Sequence, residues 1–196
     1  MLNWLWIIVS YIIGSVSFAY IVSKLHSGID IRNYGSGNAG ATNVHRVLGI
    51  KAFAAVSILD ILKGYFAVAI AISLFDNELL IIFSALAVII GHNWPIFLNF
   101  KGGKGIASTL GVIAALSFTS FIILVVLMAT IIYITRYMSL ASLVATLIAP
   151  FLIMLLVDNG AYYTVLTFIL TILAWFTHRQ NIARLLNGQE RKIGDI

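Results

Sequence analysis

The chain has 196 residues, of which 61% are hydrophobic and 10% charged, and its formal net charge is +5. An average soluble domain has roughly 45–50% apolar and roughly 25% charged residues, so these values exclude a soluble globular enzyme, a disordered chain and a nucleic-acid-binding domain. The mean hydropathy of +1.05 predicts an integral membrane protein with several spans. The absence of cysteine excludes disulfides and a thiol nucleophile.

Apolar stretches of the length that crosses a bilayer follow one another along the chain. The first, residues 2–23, is interpreted as a transmembrane helix and not as a cleavable signal, because it is long and lacks a basic start and a small-residue cleavage site. The other clear spans are residues 52–75, 79–98, 140–157 and 161–177.

Residues 105–135 form one uncharged stretch that decides the topology. As a single helix it would be about 46 Å long, too long for a hydrocarbon core of about 30 Å. A break near Ser117 gives two short spans, and eleven of the twelve Lys and Arg residues then lie on one side, with Lys63 inside a span. The positive-inside rule therefore predicts an all-α membrane protein of seven transmembrane helices, with the N-terminus outside and the C-terminus cytoplasmic. With no long linker, residues 1–196 are expected to form a single membrane-embedded domain.

Two charged residues lie inside the second predicted span. Asp60 and Lys63 are three residues apart and share a helix face. Charges in a span are costly and are usually paired or functional, so a mutual ion pair is the simplest interpretation. His92, near the end of the third span, is interpreted as a hydrogen-bonded structural histidine.

The first predicted cytoplasmic loop contains a polar, glycine-rich segment at residues 35–46. It has the letters of a dinucleotide-binding GxGxxG motif, but that motif requires a strand before it and a helix after it, and this segment lies between two spans. Such a turn can form an anion-binding nest, and Arg46 could close it as a bidentate clamp. A flexible polar loop is the alternative.

Two further segments carry basic and amide groups. Lys104 lies among three glycines where a helix is expected to begin, an arrangement that favours phosphate; the alternative is a glycine turn with snorkelling lysines. Near the C-terminus, His178, Asn181 and Arg184 share one face of a predicted helix. That helix could equally lie on anionic lipid as a basic amphipathic segment.

Several catalytic patterns are missing from the sequence. No histidine has an aspartate five residues after it, as a His-x-x-x-x-Asp motif requires, and no Gly-x-Ser-x-Gly elbow occurs. No Asp/Glu cluster could hold a divalent metal. We therefore expect no metal and no cofactor. The remaining groups bind phosphate well and make poor nucleophiles, which predicts an enzyme that positions phosphorylated substrates and takes its acyl or alkyl partner from the bilayer.

Four segments, taken together, resemble the bacterial acyl-phosphate:glycerol-3-phosphate acyltransferase family, which is membrane-integral. They are residues 36–43, 92–105, 136–142 and 178–190, and they occur in the family's order over nearly the whole chain. Ala39 is a departure, because the family often has Pro or Val there.

The resemblance implies that a fatty acyl group passes from acyl phosphate to the 1-hydroxyl of sn-glycerol 3-phosphate, giving lysophosphatidate and phosphate, the first acylation of phospholipid synthesis. It implies a multi-pass protein of the bacterial cell (inner or plasma) membrane, with its active site at the cytoplasmic face. The expected partners are the two substrates and membrane lipids, with no nucleic acid. A soluble enzyme that makes acyl phosphate is a further candidate partner.

The resemblance also implies site residues. His178, Lys104, Arg46 and Asn181 are the implied catalytic residues, and Ser36, Gly37, Asn38, Thr42, Asn43, Gly102, Gly103 and Ser142 are the implied substrate-binding residues. Ser36, Asn38, Thr42 and Asn43 are assigned to the donor phosphate and acyl carbonyl, and Arg46, Lys104, His178, Asn181 and Ser142 to glycerol 3-phosphate. Either His178 or the donor phosphate itself could act as the base.

Two other classes of protein remain as alternatives. A transporter of organic phosphates would explain the spans and the basic residues, but the sequence has no inverted repeat and its polar residues crowd one face. A non-catalytic lipid-binding protein would be favoured by the loss of His178, Lys104 or Arg46, and all three are present.

Overall fold

The computed structural model describes residues 2–158 and 160–194, and within these ranges the chain has helices and no strand. This confirms the predicted all-α class. The α-helices are α1 (Leu5–Ser15), α2 (Phe18–Ser27), α3 (Ala41–Leu48), α4 (Ile50–Leu74), α5 (Glu78–Asn93), α6 (Ile106–Leu116), α7 (Phe118–Thr135), α8 (Met138–Leu156), α9 (Ala161–Thr177) and α10 (Arg179–Leu186). Short 3-10 helices cover Leu2–Trp4, Ile31–Asn33 and Ile96–Leu98.

Five helical segments within the described ranges are long and apolar enough to cross a membrane, and α9 with α10 would be a sixth if the bent pair is one span. The five are Leu5–Ser27, Ile50–Leu74, Glu78–Leu98, Phe118–Thr135 and Met138–Leu156. Helix α6 is apolar but measures only about 16 Å at 1.5 Å per residue. The count of seven transmembrane helices and the orientation of the termini therefore stay predictions.

The predicted break in the long uncharged stretch lies where the sequence placed it. Helix α6 ends at Leu116 and α7 begins at Phe118. Between them, Ser117 has an extended backbone, and its Oγ accepts a hydrogen bond from the backbone N–H of Ser120 at 3.2 Å. A serine in this position satisfies one of the unpaired N–H groups of the first helical turn, which explains why the break falls at Ser117.

The first span differs from the continuous helix expected over residues 2–23. Helix α1 ends at Ser15 and α2 begins at Phe18, so the segment is broken at Val16 and Ser17. Ser17 caps α2 by accepting from the N–H of Tyr20 at 3.4 Å. The break is tolerated inside an apolar segment because the carbonyls that it frees find a buried donor, Lys63.

The chain forms two compact units, the first ending at Ala115 and the second beginning at Leu116. In the first unit, α1 packs against α5, and α4 packs against α1, α2, α3 and α5. Gly64 of α4 lies against the backbone of Ser108 in α6, where a Cβ would not fit, so small residues allow these helices to approach closely.

In the second unit, α8 packs against α7 and α9, and α10 packs against α8 and α9. The single domain predicted over residues 1–196 stays a prediction.

Candidate active site

Asn43 holds the glycine-rich first loop in shape. Its side chain is buried in α3. Oδ1 accepts from the backbone N–H of Ser36 at 2.8 Å, and Nδ2 donates to the carbonyls of Ile31 and Tyr34 at 3.1 and 3.0 Å. The amide thus provides hydrogen-bond partners for backbone groups of the loop, which lie outside the α-helices and so lack their regular pairing. Its predicted contact with substrate stays a prediction.

Asn43→Ala is expected to destabilise the protein by about 1–3 kcal/mol, because buried backbone groups of the loop lose their partners. The midpoint of thermal unfolding in detergent measures this. Asn33→Ala is the matched control, since Asn33 is an exposed asparagine close to the same loop. It should change the free energy of unfolding by less than about 0.5 kcal/mol, with a correspondingly small change in the midpoint. Equal midpoints for the two variants would contradict the scaffold role.

A second strut, which the sequence did not predict, joins the first loop to the second. The Arg32 guanidinium pairs with Asp30 at 2.6 Å and also donates to the carbonyl of Leu98 at 3.0 Å. The hydrogen bond from Arg32 holds the pKa of the Asp30 carboxyl below its usual value, against the raising effect of burial. The link spans 66 positions of sequence, so no local pattern could reveal it.

The structure brings the two predicted phosphate-binding segments together within the first unit. The backbone N–H of Ala39 donates to the carbonyl of Gly102 at 3.3 Å. A Cβ on Gly40 would lie 3.9 Å from the Cα of Gly103. The loop that contains Ser36, Gly37 and Asn38, and that leads into α3 with Thr42, therefore contacts the glycine turn that precedes Lys104.

Arg46 and Lys104 lie in the two chain segments that follow this contact. Arg46 lies in α3, which begins at Ala41 directly after the first loop, and Lys104 lies two residues before α6. Both side chains are half-buried. Gly105, between Lys104 and α6, has a positive φ of 83°, a conformation that favours glycine.

The glycine turn is attached to the end of α5. The N–H of Gly102 donates to the carbonyl of Asn93 at 3.2 Å, and the N–H of Gly103 donates to the carbonyl of His92 at 3.1 Å. These two N–H groups are thus engaged within the protein, so the glycines serve here to let the chain approach α5 closely. The assignment of Gly102 and Gly103 as substrate-binding residues stays a prediction.

The predicted ion pair in α4 is confirmed. Lys63 Nζ lies 2.8 Å from Asp60 Oδ1, and both side chains are buried. His92 is hydrogen-bonded, as expected, through a 3.3 Å contact between Nδ1 and Ser108 Oγ. It also lies beside the ion pair, with Nδ1 3.5 Å from Asp60 Oδ1, which the sequence did not predict.

His178 lies at the bend between α9 and α10 in the second unit, where the helix axes change direction by 64°. The residue is buried, and its ring Nδ1 lies 2.8 Å from the carbonyl oxygen of Ala174. Because a carbonyl only accepts hydrogen bonds, this contact favours the tautomer with its proton on Nδ1. Nε2 is then the nitrogen that carries the basic lone pair.

Glu190 ties the residues of the C-terminal segment together. One carboxylate oxygen accepts from Asn181 Nδ2 at 2.6 Å and from Ser139 Oγ at 2.8 Å, and the other accepts from Arg184 Nε at 2.8 Å. Burial acts to raise the pKa of Glu190, but the hydrogen bonds from these three groups outweigh it and hold the pKa below the ordinary value. Asn181 and Arg184 therefore share a face of α10, as predicted.

Ser142 lies one turn further along α8 than Ser139. It is buried, and its hydroxyl donates to the carbonyl of Met138 at 2.8 Å. The predicted contact of Ser142 with substrate stays a prediction. The signal that would have found Glu190 was present in the sequence, because an acidic residue follows a basic helix there, but only the fold shows which groups it receives.

Glu190→Gln is expected to destabilise the second unit by about 1–3 kcal/mol, because the amide offers one acceptor where the carboxylate offers two. Since the folded-state pKa lies below the unfolded value near 4.5, the stabilising contribution is complete above pH 4.5 and is lost as the pH falls through the folded-state value. Thermal unfolding midpoints between pH 3 and 7 measure both effects. Gln189→Ala, at an exposed neighbour, should behave like the wild type, and a Glu190→Gln variant that retains the wild-type acid dependence would contradict this assignment.

Comparison with known proteins identifies the family. Residues 4–188 match the model of the family described as glycerol-3-phosphate acyltransferase. The glycerol-3-phosphate acyltransferase of Halalkalibacterium halodurans is 46% identical over 98% of this chain and 96% of its own. That of Thermoanaerobacter sp. is 47% identical over 95% of this chain and 93% of its own.

A solved structure agrees with this result. A crystal structure of PlsY (YgiH), an integral membrane glycerol 3-phosphate acyltransferase, in its glycerol 3-phosphate form matches 99% of this chain and 96% of that one, with a TM-score of 0.92 and 38% identity. With the five or six apolar segments described above, these likenesses identify a multi-pass bacterial membrane protein and an acyltransferase. The chain belongs to the glycerol-3-phosphate acyltransferase family.

Proposed function

We propose that this protein transfers a fatty acyl group from acyl phosphate to the 1-hydroxyl of sn-glycerol 3-phosphate, at the cytoplasmic face of the bacterial inner membrane. The observation that carries the proposal is the contact between the first loop and the Gly102–Gly103 turn, where the Ala39 N–H donates to the Gly102 carbonyl. It brings together the chain segment that leads to Arg46 in α3 and the segment that leads to Lys104, and the first of these also carries hydroxyl and amide groups. Such a surface suits the phosphate of a small substrate.

The comparisons support the choice of acceptor and product. Two crystal structures that this fold resembles are described as the glycerol 3-phosphate form and the lysophosphatidic acid form of PlsY. The second matches 98% of this chain and 95% of that one, with a TM-score of 0.88 and 37% identity. By this likeness we assign glycerol 3-phosphate as the acceptor and lysophosphatidate as the product here.

The choice of acyl phosphate as donor is what the resemblance to the acyl-phosphate-dependent family implies, and the groups that the chain offers agree with it. The sequence has no cysteine, no Gly-x-Ser-x-Gly elbow and no His-x-x-x-x-Asp pair, so it lacks the usual nucleophiles and the usual acyltransferase dyad. Acyl phosphate is already activated and needs only orientation and charge stabilisation. The hydroxyl oxygen bonds to the acyl carbon, the bond between that carbon and the phosphate oxygen breaks, and inorganic phosphate leaves with the electron pair.

The proposed roles of the residues keep the division expected from the sequence. Ser36, Asn38, Thr42 and Asn43 are proposed to bind the donor, with Gly37 providing the turn. Arg46 and Lys104 are proposed to hold the phosphate of glycerol 3-phosphate, as are Ser142 and Asn181. The hydroxyl proton goes to Nε2 of His178, or to a phosphate oxygen of the donor in a substrate-assisted route.

Offering two donors to the purified protein tests the proposal. The protein in a lipid phase receives sn-glycerol 3-phosphate with either palmitoyl phosphate or palmitoyl-CoA, and lysophosphatidate and released phosphate are both followed. Product from palmitoyl phosphate alone is expected. Product from palmitoyl-CoA alone would contradict the donor assignment, and no product from either, together with phosphate flux across vesicles, would identify a transporter instead.

A further inference from the structure

Three buried polar side chains of the first unit form a cluster that the reaction outlined above does not use. Asp60 lies in the middle of α4, Lys63 lies three residues further on, and His92 lies in the last turn of α5. Asp60 Oδ1 is 2.8 Å from Lys63 Nζ and 3.5 Å from His92 Nδ1, and the three side chains are at most 6% exposed. A buried ion pair is weak evidence for stability, because desolvation offsets the attraction between the charges. We therefore look for a role of the cluster in orienting its side chains and not in stability.

One end of the cluster holds the break in the first span. Lys63 Nζ donates to the carbonyls of Gly14 and Val16 at 3.1 and 2.8 Å, which lie at the end of α1 and in the break before α2. The ammonium is thus surrounded by Asp60 and two carbonyls, and its position is fixed. Asp60 is fixed in turn by Lys63.

The other end of the cluster touches the glycine turn. A Cβ on Gly103 would fall on Nε2 of His92, so the imidazole fills the space that any other residue at position 103 would need. The ring is held by Ser108 and Asp60 at Nδ1. Since Nδ1 is the nitrogen that faces Ser108 and Asp60, Nε2 is the nitrogen directed toward the turn.

We propose that His92, oriented by the Asp60–Lys63 pair, is a positioning residue that sets the course of the Gly102–Gly103 turn and thereby the place of Lys104. This inference rests on the proposed function, since that function assigns Lys104 to glycerol 3-phosphate. A turn of two glycines has no side chains with which to fix itself. Its order comes from the two hydrogen bonds to the end of α5 and from the ring packed against Gly103.

A double-mutant cycle tests this coupling directly. Gly103→Ala in the wild type forces its methyl group into the His92 ring, so it should raise the KM for glycerol 3-phosphate about tenfold. His92→Ala alone should raise that KM about fivefold while kcat at saturating substrate stays within about threefold. In the His92→Ala background the clash is absent, so adding Gly103→Ala should raise KM by no more than about twofold.

Gly102→Ala is the matched control. A Cβ at this position would fall on the backbone carbonyl of His92 and not on its ring, so truncating the ring cannot relieve the clash. The effects of Gly102→Ala and His92→Ala should therefore multiply. Asp60→Asn, which keeps the shape and removes the charge, should raise KM in the same direction as His92→Ala and by less.

The proposal would be overturned if the effects of Gly103→Ala and His92→Ala on KM were independent. It would also be overturned if the His92→Ala background reduced the effect of Gly102→Ala on KM, or if His92→Ala alone left KM unchanged. His92→Gln replaces the alanine variant if the latter does not fold in detergent. The same variants are also measured by the thermal shift that glycerol 3-phosphate produces. If the wild type binds glycerol 3-phosphate but transfers no acyl group, the proposed function fails, and the double-mutant cycle measured as apparent Kd still tests the positioning role. If the wild type neither binds glycerol 3-phosphate nor transfers an acyl group, the proposed function and the positioning role are both contradicted.

Discussion

Lys104→Gln is expected to lower kcat/KM for glycerol 3-phosphate by about 100- to 1,000-fold, the usual effect of removing a fixed charge that stabilises a reacting phosphate or oxyanion. Lys104 follows the Gly102–Gly103 turn, which is tied to α5 by two backbone hydrogen bonds. The ammonium is therefore carried by a chain segment of fixed course, so it provides its charge with little reorganisation. Initial rates over a range of glycerol 3-phosphate concentrations measure the loss.

Lys101→Gln is the matched control for this prediction. Lys101 lies in the same loop and is exposed, and an exposed charge contributes little to a specific interaction. Its kcat/KM should stay within about threefold of the wild type. Similar losses in both variants would mean that the loop acts through its general positive charge, and a small loss in Lys104→Gln would contradict the assignment of Lys104 to the substrate phosphate.

His178→Ala is expected to lower kcat by about 100- to 10,000-fold, the usual contribution of a general base, with a smaller effect on the KM for glycerol 3-phosphate. The expectation rests on the 2.8 Å contact between Nδ1 and the Ala174 carbonyl, which favours the tautomer whose lone pair is on Nε2. Steady-state kinetics at saturating acyl phosphate separate kcat from KM.

His26→Ala controls for the loss of a histidine elsewhere, because His26 is exposed near the end of α2. It should change neither parameter by more than about twofold. A raised KM with an unchanged kcat in His178→Ala would leave His178 as a binding residue only. In that case the donor phosphate would be the base.

The sequence predicted the features of the fold that depend on local pattern. The break at Ser117 followed from the length of the uncharged stretch and from the distribution of lysine and arginine. The Asp60–Lys63 pair followed from a spacing of three residues on a helix. Both depend on the order of residues along the chain and not on contacts between distant residues, so periodicity and composition suffice to find them.

The features that the sequence missed depend on contacts between distant residues. The break at Val16 and Ser17 lies in a continuous apolar stretch, and the donor that makes it tolerable, Lys63, is 47 positions away from Val16. The contact between His92 and Asp60 joins two helices, and the Arg32–Leu98 strut joins two loops. None of these pairs leaves a local signature.

The candidate site shows the same division. Motif spacing identified the segments, and the structure joined the first two of them through Ala39 and Gly102. The sequence could not distinguish residues that shape the site from residues that face a substrate. Asn43 illustrates this, because its amide holds the loop in shape, while its contact with the donor stays a prediction.

In the proposed reaction, the protein positions two phosphorylated substrates for direct acyl transfer and forms no acyl-enzyme. Rapid mixing of palmitoyl phosphate with a stoichiometric amount of protein, first without and then with glycerol 3-phosphate, tests for such an intermediate. We expect no burst of phosphate before the acceptor is added, and equal amounts of phosphate and lysophosphatidate afterwards. One equivalent of phosphate released without acceptor, with acyl groups retained on the denatured protein, would contradict direct transfer.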